Sequence, residues 1–492
     1  MKKHTIYSYI LPLFLSIAFV SCDSYLEESP DDRLELNTLD KAAKVVADSY
    51  SQASFLFTET YTDLAGPTGN PDGNGIVQDT GGNIITNQDR QLYKWEEVND
   101  IFQETPTFYW DRSYAAIAQT NEVLAIIDNL EGEQDKKNAI KGEALLSRAY
   151  HHFMLVNIFG LHYDQNAATN LGVPYITSPE TEFLPSYTRN TVKEVYDLVE
   201  KDLLEGLSLI NDKFFIGTKK YHFTKKAALA FASRFYLWKK DYANCKKYSD
   251  LFFDGSPATY IKDYTQITGA NFQETANKHE DPSDPSNLLV IQKFSLYTRV
   301  NRGFRLTSNQ LSEVYQNQLG INDIRDDLFG TIGSNGIYLP RIWEYTFREN
   351  LSSNSVRPYH IEVVLKGEEV LFNRAEANLF LGNQDAALSD INIIAENRYR
   401  GQTYTNIAAI TSYYDATDET EGMLRLILDE RKKEFWFHGL RWFDIKRHNI
   451  PVTHILPVSE GGETVELPAN DLRRAVQIPR DAISFGLTPN PR

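Results

Sequence analysis

The chain has 492 residues, 42% hydrophobic and 24% charged, with aromatics at 12% and a mean hydropathy of −0.42; this composition excludes a disordered polymer and allows a large core. Its formal net charge of −17, which becomes −19 once Lys2 and Lys3 leave with a leader, excludes a nucleic-acid binder, because a phosphate backbone demands a basic face. Length alone fits either about three domains of roughly 150 residues or one continuous solenoid.

Lys2 and Lys3 precede an apolar run from Ile10 to Val20 that ends in Ser21-Cys22. The run is too short to cross a bilayer and reads as a signal peptide over residues 1–21. A small residue directly before a cysteine at the end of such a run resembles a lipobox, which makes Cys22 the expected lipidation site. No later run reaches about 18 apolar residues. Cys245, the only other cysteine, implies no disulfide framework. Residues 22–39, acidic from Asp23 to Asp32, read as anchor and spacer, and residues 40–492 as a single domain.

Helical signals start near Asp40. Apolar stripes at helical spacing then occupy residues 113–128, 136–159, 191–210, 224–239, 242–253, 362–381, 385–398 and 422–437, and strand-like alternation is scarce, so the expected class is mainly α. Two stretches align without gaps: Leu237-Trp238-Lys239-Lys240-Asp241-Tyr242-Ala243-Asn244-Cys245 and Leu379-Phe380-Leu381-Gly382-Asn383-Gln384-Asp385-Ala386-Ala387. Each has an aromatic near the end of one helix, a tight turn and a small residue inside the next, which is the form of a tetratricopeptide-type repeat. Cys245 matches Ala387 and reads as a small buried filler. Gly142 and Gly367 each cost roughly 1 kcal/mol against alanine in a helix and predict close helix contacts. Residues 59–107 and 254–359, rich in Gly, Asn, Asp, Pro and Thr yet carrying aromatics, read as long functional loops.

These pieces resemble the SusD/RagB family of surface lipoproteins. The run from Glu430 to Arg447, containing Phe435-Trp436-Phe437-His438-Gly439-Leu440-Arg441-Trp442-Phe443-Asp444, matches the family's C-terminal signature. Supporting it are Lys141-Gly142-Glu143-Ala144 with Arg148-Ala149-Tyr150, Phe159-Gly160, Arg374-Ala375-Glu376-Ala377, Ile478-Pro479 and Asn490-Pro491. The resemblance implies a SusD-like α-α superhelix with loop-rich insertions, and a non-enzymatic glycan-binding lipoprotein on the extracellular face of the outer membrane. It also implies a partner, a SusC-like TonB-dependent transporter that receives the oligosaccharide or polysaccharide. Within the signature, Gly439 suits a left-handed helix end, Phe435 and Trp442 are expected to fold together, and Glu434 is expected to be able to pair with Arg441.

Catalytic signatures are not found: there is no H-E-x-x-H, G-x-S-x-G or complete phosphate-binding loop. His151-His152 with His162 cannot chelate one ion together, since adjacent helix positions diverge by about 100°. Asp72-Gly73-Asn74-Gly75 with Gln78-Asp79 has Asn83 where a calcium loop needs glutamate, and reads as a turn. No cofactor or metal is expected. Sugars are held by flat rings against their C–H faces and by planar polar groups on their hydroxyls. Trp95 and Trp343 stand outside the recognised helices, so the candidate ligand residues are Trp95 with Tyr93, Arg90 and Asn99, and Trp343 with Tyr345, Arg341, Tyr297, Asn301 and Arg302. Loop-core packing is the alternative for both tryptophans. Two other functions stay open: a peptide receptor in the same type of uptake complex, with Arg302 or Arg341 taking a carboxylate, and a tetratricopeptide scaffold that docks proteins.

Overall fold

The computed structural model describes residues 36–182, 186–215, 217–269, 271–297, 302–326, 330–332, 336–338, 342–348 and 356–492. Helices dominate: α1 (Leu39–Asp48), α2 (Asn87–Tyr93), α3 (Pro106–Ile126), α4 (Gln134–Phe159), α5 (Val192–Leu209), α6 (Lys225–Trp238), α7 (Tyr242–Phe252), α8 (Phe272–Glu280), α9 (Ser308–Val314), α10 (Gly367–Phe380), α11 (Gln384–Arg398), α12 (Ile407–Tyr413), α13 (Glu419–Glu434), α14 (Arg441–Arg447) and α15 (Arg480–Ser484). Helices α2, α5 and α9 open with reciprocal caps, Thr86 with Asp89, Thr191 with Glu194 and Thr307 with Gln310. Each threonine oxygen accepts an N–H that the first turn cannot satisfy internally.

Antiparallel helix pairs stack on one another, α4 between α3 and α5, then α6 with α7 and α10 with α11, with α10 also lying against α6 and α7. The two aligned turns adopt one geometry. Lys240 and Gly382 both take positive φ, 62° and 81°. The amides of Asp241 and Asn383 reach back to Tyr236 O and Asn378 O at 2.9 and 2.8 Å. Cys245 and Ala387 are both fully buried. The Cys245 Sγ donates to Asn373 O at 3.4 Å, and burial pushes its thiol up to about 12, so it is a packing group and no nucleophile.

Gly142 marks the crossing of α4 and α5. A Cβ there would meet Ile210 N at 2.8 Å and Gly206 O at 3.1 Å, both backbone atoms that cannot rotate away. Gly142→Ala gains about 1 kcal/mol of helix propensity but takes on overpacking of about 1–3 kcal/mol, so its urea midpoint should fall. A midpoint equal to or above that of the parent would show that the helices have room to part. Gly367 differs from its expected role: it is the first residue of α10, and its near neighbour is the Tyr260 carbonyl, in the short 3₁₀ turn Pro257–Tyr260, 2.2 Å from a Cβ.

The strands are β1 (Gly66–Pro67), β2 (Asn287–Lys293), β3 (Phe304–Arg305), β4 (Gly330–Ile332), β5 (Gly336–Tyr338), β6 (Tyr345–Phe347), β7 (Arg357–Lys366), β8 (Val452–Ile455) and β9 (Thr464–Leu467), all paired antiparallel. The largest sheet has the order β2-β7-β6. Here the sequence expectation needs correcting, because residues 362–366 finish β7 and the helix begins only at Gly367. Strand β7 is buried over its second half and runs directly into α10, so its apolar run merges with the helical stripe.

The C-terminal signature is core, with different partners from those expected. Gly439 does adopt φ 69°, and a Cβ there would strike the Phe55 ring at 2.6 Å. That turn sends Arg441 away from Glu434 and into a bidentate pair with Asp63, both bonds 2.8 Å, while Glu434 binds Arg398 and Arg325. Phe435 packs edge-on to Phe372 and Trp442 tilts against Tyr61, so they do not pack on each other.

Candidate functional site

The first predicted cluster folds inward. Phe304, Tyr93, His454 and Trp95 form one pile of rings with centroid spacings of 3.9, 4.0 and 4.4 Å and interplanar angles of 5°, 6° and 16°. Trp95 is 3% exposed, its indole N–H donates to Tyr61 O at 3.0 Å, and Arg473 lies 5.8 Å from its ring. The ring therefore offers no free face to a sugar, and its place is that of a loop-core anchor. Tyr93 is equally buried and donates to Ile455 O at 3.3 Å. Arg90 is held by both oxygens of Glu460 and by Asn87. Only Asn99 is exposed, with its backbone N–H bound to Gln91 Oε1 at 3.2 Å.

The Tyr297 neighbourhood is also interior. Tyr297 is 3% exposed, edge-on to Phe437 at 5.4 Å, and covered by the Arg302 guanidinium at 5.2 Å. Arg302 pairs with Asp89 at 3.2 Å, which occupies the cation that a peptide carboxylate would need. Asn301, Arg341 and Cys22 lie outside the described residues.

What stays at the surface is the neighbourhood of Trp343. Five of the six tryptophans are buried (Trp95, Trp110, Trp238, Trp436 and Trp442), and Trp343 alone is not. Among the described residues its indole has no ring partner and its N–H no acceptor, whereas its backbone N–H donates to Glu280 Oε1 at 3.0 Å. Two residues on, Tyr345 begins β6, and the β6–β7 register sets it opposite Tyr359, with the rings stacked 5.4 Å apart at 27°. Phe347, on the same face of β6 as Tyr345, is 47% exposed. Tyr221, at the end of the short 3₁₀ turn Lys219–Tyr221, is 37% exposed and close enough to Glu280 and Tyr359 to be coupled to them electrostatically. The hydroxyls of Tyr221 and Tyr359 have no partner among the described residues. The surface thus offers several part-exposed rings, and among the described residues the polar ends of Trp343, Tyr221 and Tyr359 remain free.

Behind it, Tyr345 Oη lies 2.6 Å from Asn277 Oδ1 and 3.0 Å from Glu280 Oε2. Burial, joined by the nearby Glu362, raises the Glu280 carboxyl to about 8. Tyr221, Tyr359, Asn277 and Glu280 were not singled out from the sequence. The strand register and the packing of α8 bring them together across long chain separations, and no local pattern reports either.

The paired histidines His151 and His152 are structural. His151 and His152 each hold Nδ1 against the carbonyl four residues back and accept a backbone N–H at Nε2, from Ser51 at 2.8 Å and Ile176 at 3.0 Å; burial pushes both down to about 3. Asp72 spends its carboxylate on Asn74, Ile76 and Gln78 within one turn. Among the described residues no cluster of three metal-ligating side chains occurs.

Comparison with known proteins assigns the class. Residues 234–485 match the SusD/RagB family, described as the SusD family, and residues 24–237 match a related group described as starch-binding and associating with the outer membrane. The chain belongs to the SusD family. SusD-like protein P2 of Formosa agariphila is 22% identical over 389 residues, 69% of this chain and 71% of that protein; SusD-like protein P38 of the same organism is 23% identical over 407 residues, 73% and 76%. Among solved structures, a putative sugar-binding protein of Bacteroides vulgatus superposes with a TM-score of 0.69 at 20% identity, covering 93% of this chain and 99% of that one. A SusD superfamily protein of Bacteroides thetaiotaomicron gives 0.66, also at 20% identity, covering 92% and 100%. The mainly helical, tetratricopeptide-type fold is the one these structures share.

Proposed function

We propose that the chain is a non-enzymatic carbohydrate-binding lipoprotein. It is held to the outer membrane by lipid on Cys22, and it captures oligosaccharide or polysaccharide at the cell surface for a SusC-like TonB-dependent transporter. The observation that carries the binding reading is the Trp343 surface, where Trp343, Tyr345, Tyr359 and Tyr221 remain part-exposed in a chain that buries every other tryptophan. Apolar rings cover the C–H faces of sugars, and the free indole N–H of Trp343 and hydroxyls of Tyr359 and Tyr221 can reach the sugar hydroxyls. Membership of the SusD family, and the sugar-binding description of one structural neighbour, support carbohydrate as the ligand class. The anchor rests on the Ser21-Cys22 junction after the apolar run, and the transporter on family membership.

The test is a calorimetric screen of the purified chain from residue 23 onward against starch, other neutral and acidic polysaccharides, and a peptide library. A polysaccharide should bind with a dissociation constant between about micromolar and millimolar, and its reducing ends should not increase on incubation. Binding of peptides alone would replace the carbohydrate reading, and a rise in reducing ends would overturn the non-enzymatic one. For the complex, a large β-barrel should co-purify from solubilised membranes with the parent protein, and Cys22→Ala should leave the membrane fraction.

A further inference from the structure

We propose that Glu280 is the positioning residue of the Trp343 surface and performs that role as a neutral carboxylic acid, bonded on one oxygen to the Trp343 backbone and on the other to the Tyr345 hydroxyl. The inference rests on the reading of this surface as a binding site. It adds the group that sets the surface's geometry and the protonation state in which that group works.

The bonds define the position. Oε1 accepts from Trp343 N at 3.0 Å, so it fixes the chain at the residue that carries the exposed indole. Oε2 lies 3.0 Å from Tyr345 Oη, which is itself 2.6 Å from Asn277 Oδ1. A phenol has one proton. If it goes to Asn277 Oδ1, the bond to Glu280 requires a proton on Oε2. Turning the Asn277 amide over would free the phenolic proton for Glu280, so the surroundings of the carboxyl must decide.

The bonds from Trp343 and Tyr345 favour a carboxylate, but burial outweighs them and the rest of the surroundings adds to it. Glu280 is 5% exposed and is the last residue of α8, at the negative end of that helix's dipole. Across the small cavity behind the surface, β7 presents Glu362, a like charge, and Lys366, which lies 3.7 Å from Glu368. His279 of the same helix and His438 of the turn after α13 also line that cavity. On the outer side stand the hydroxyls of Tyr345, Tyr359 and Tyr221. No cation of the described residues lies within ion-pair distance of Glu280. A buried carboxyl with a like charge nearby and no counter-ion keeps its proton. The raised titration of Glu280, to about 8, has the same direction and the same first cause, burial.

The consequence is a surface that is assembled below the titration of Glu280 and loosens above it. Once ionised, the carboxylate has no cation within ion-pair distance among the described residues and stands beside Glu362, and relief comes from moving it toward water. That motion breaks the bonds to Trp343 and Tyr345 together.

Backbone hydrogen exchange at Trp343 reads the proposal without any ligand. Corrected for intrinsic rates, protection of that amide should be constant from pH 5 to 7 and fall about tenfold between pH 7 and 9. Glu280→Gln, whose amide accepts from Trp343 and donates to Tyr345, should keep the protection and lose the pH dependence. Glu280→Ala should lose the protection at every pH. A Trp343 amide whose protection does not change from pH 6 to 9 would overturn the proposal, and so would a Gln variant that behaves as the Ala variant does. The binding arm uses soluble starch and the other polysaccharides of the screen. Any that Trp343→Ala ceases to bind should lose affinity with rising pH in the parent and keep it in Glu280→Gln. If none depends on Trp343, the binding-surface reading fails, while the exchange result still decides the role and the proton of Glu280.

Discussion

Glu434→Ala should cost about 3–5 kcal/mol of unfolding free energy, a large share of the roughly 5–15 kcal/mol that holds a domain together. The Glu434 side chain has no solvent exposure. It binds Arg398 Nε and Nη2 at 2.9 and 3.0 Å and Arg325 Nη1 at 3.1 Å, and accepts from Tyr264 Oη at 3.2 Å. Burial alone would raise its carboxyl, yet the guanidinium groups of Arg398 and Arg325 hold it well below the usual range. Truncation leaves Arg398 with the Lys262 carbonyl and with Glu368 at 3.6 Å, and Arg325 with Asp323 and Glu430. Arg325 thus keeps two close carboxylates, but Arg398 loses its bidentate partner and is left dry with no carboxylate nearer than 3.6 Å. Because the folded-state titration lies below the unfolded one, this stabilisation is complete above about pH 4.3, the ordinary glutamate value, and fades as the pH falls toward the lower folded value. Denaturant unfolding of the Ala and Gln variants measures it. A loss under about 1 kcal/mol for Ala would show that the cluster is relaxed enough for water to replace the carboxylate.

Such a cluster could not be read from the sequence, although its location could. The run from Glu430 to Arg447 stands out as dense in aromatics and charges, and a charged residue beside buried aromatics must be paired. Its partners, however, come from distant segments: Arg398 and Arg325 for Glu434, and Asp63 for Arg441. The helical scaffold was legible because its rule is local. The spacing of apolar residues and the matched turns at Lys240 and Gly382 need no distant information. Strand β7 was hidden because a run buried on both faces carries no alternation. Helix α2, inside a stretch read as loop, left a local trace in the Thr86 and Asp89 capping box, which is a weak signal before so short a helix.

The two tryptophans of the candidate site show the same limit most sharply, and substitution separates them. Both stand beside tyrosine, arginine and polar residues, a composition that suits a sugar platform and a loop anchor equally. The outcome depends on whether another segment covers the ring, and His454 covers Trp95. Trp95→Ala should therefore cost about 3–5 kcal/mol of stability, as truncation of a buried large aromatic does. The loss includes the bond to Tyr61 O and the stack on His454. Trp343→Ala opens no core cavity and should unfold within about 0.5 kcal/mol of the parent, the usual range for surface changes. Its loss should appear in binding instead: a ring laid on a sugar face contributes roughly 1–2 kcal/mol at about 25 cal/mol per Å², a 5- to 30-fold weaker dissociation constant. Thermal unfolding and calorimetric titration of both variants decide the matter together. Normal polysaccharide affinity in a folded Trp343→Ala protein would remove the β6–β7 surface from the site. A Trp95→Ala protein of parental stability with lost affinity would return the site to the Tyr93–Trp95 cluster.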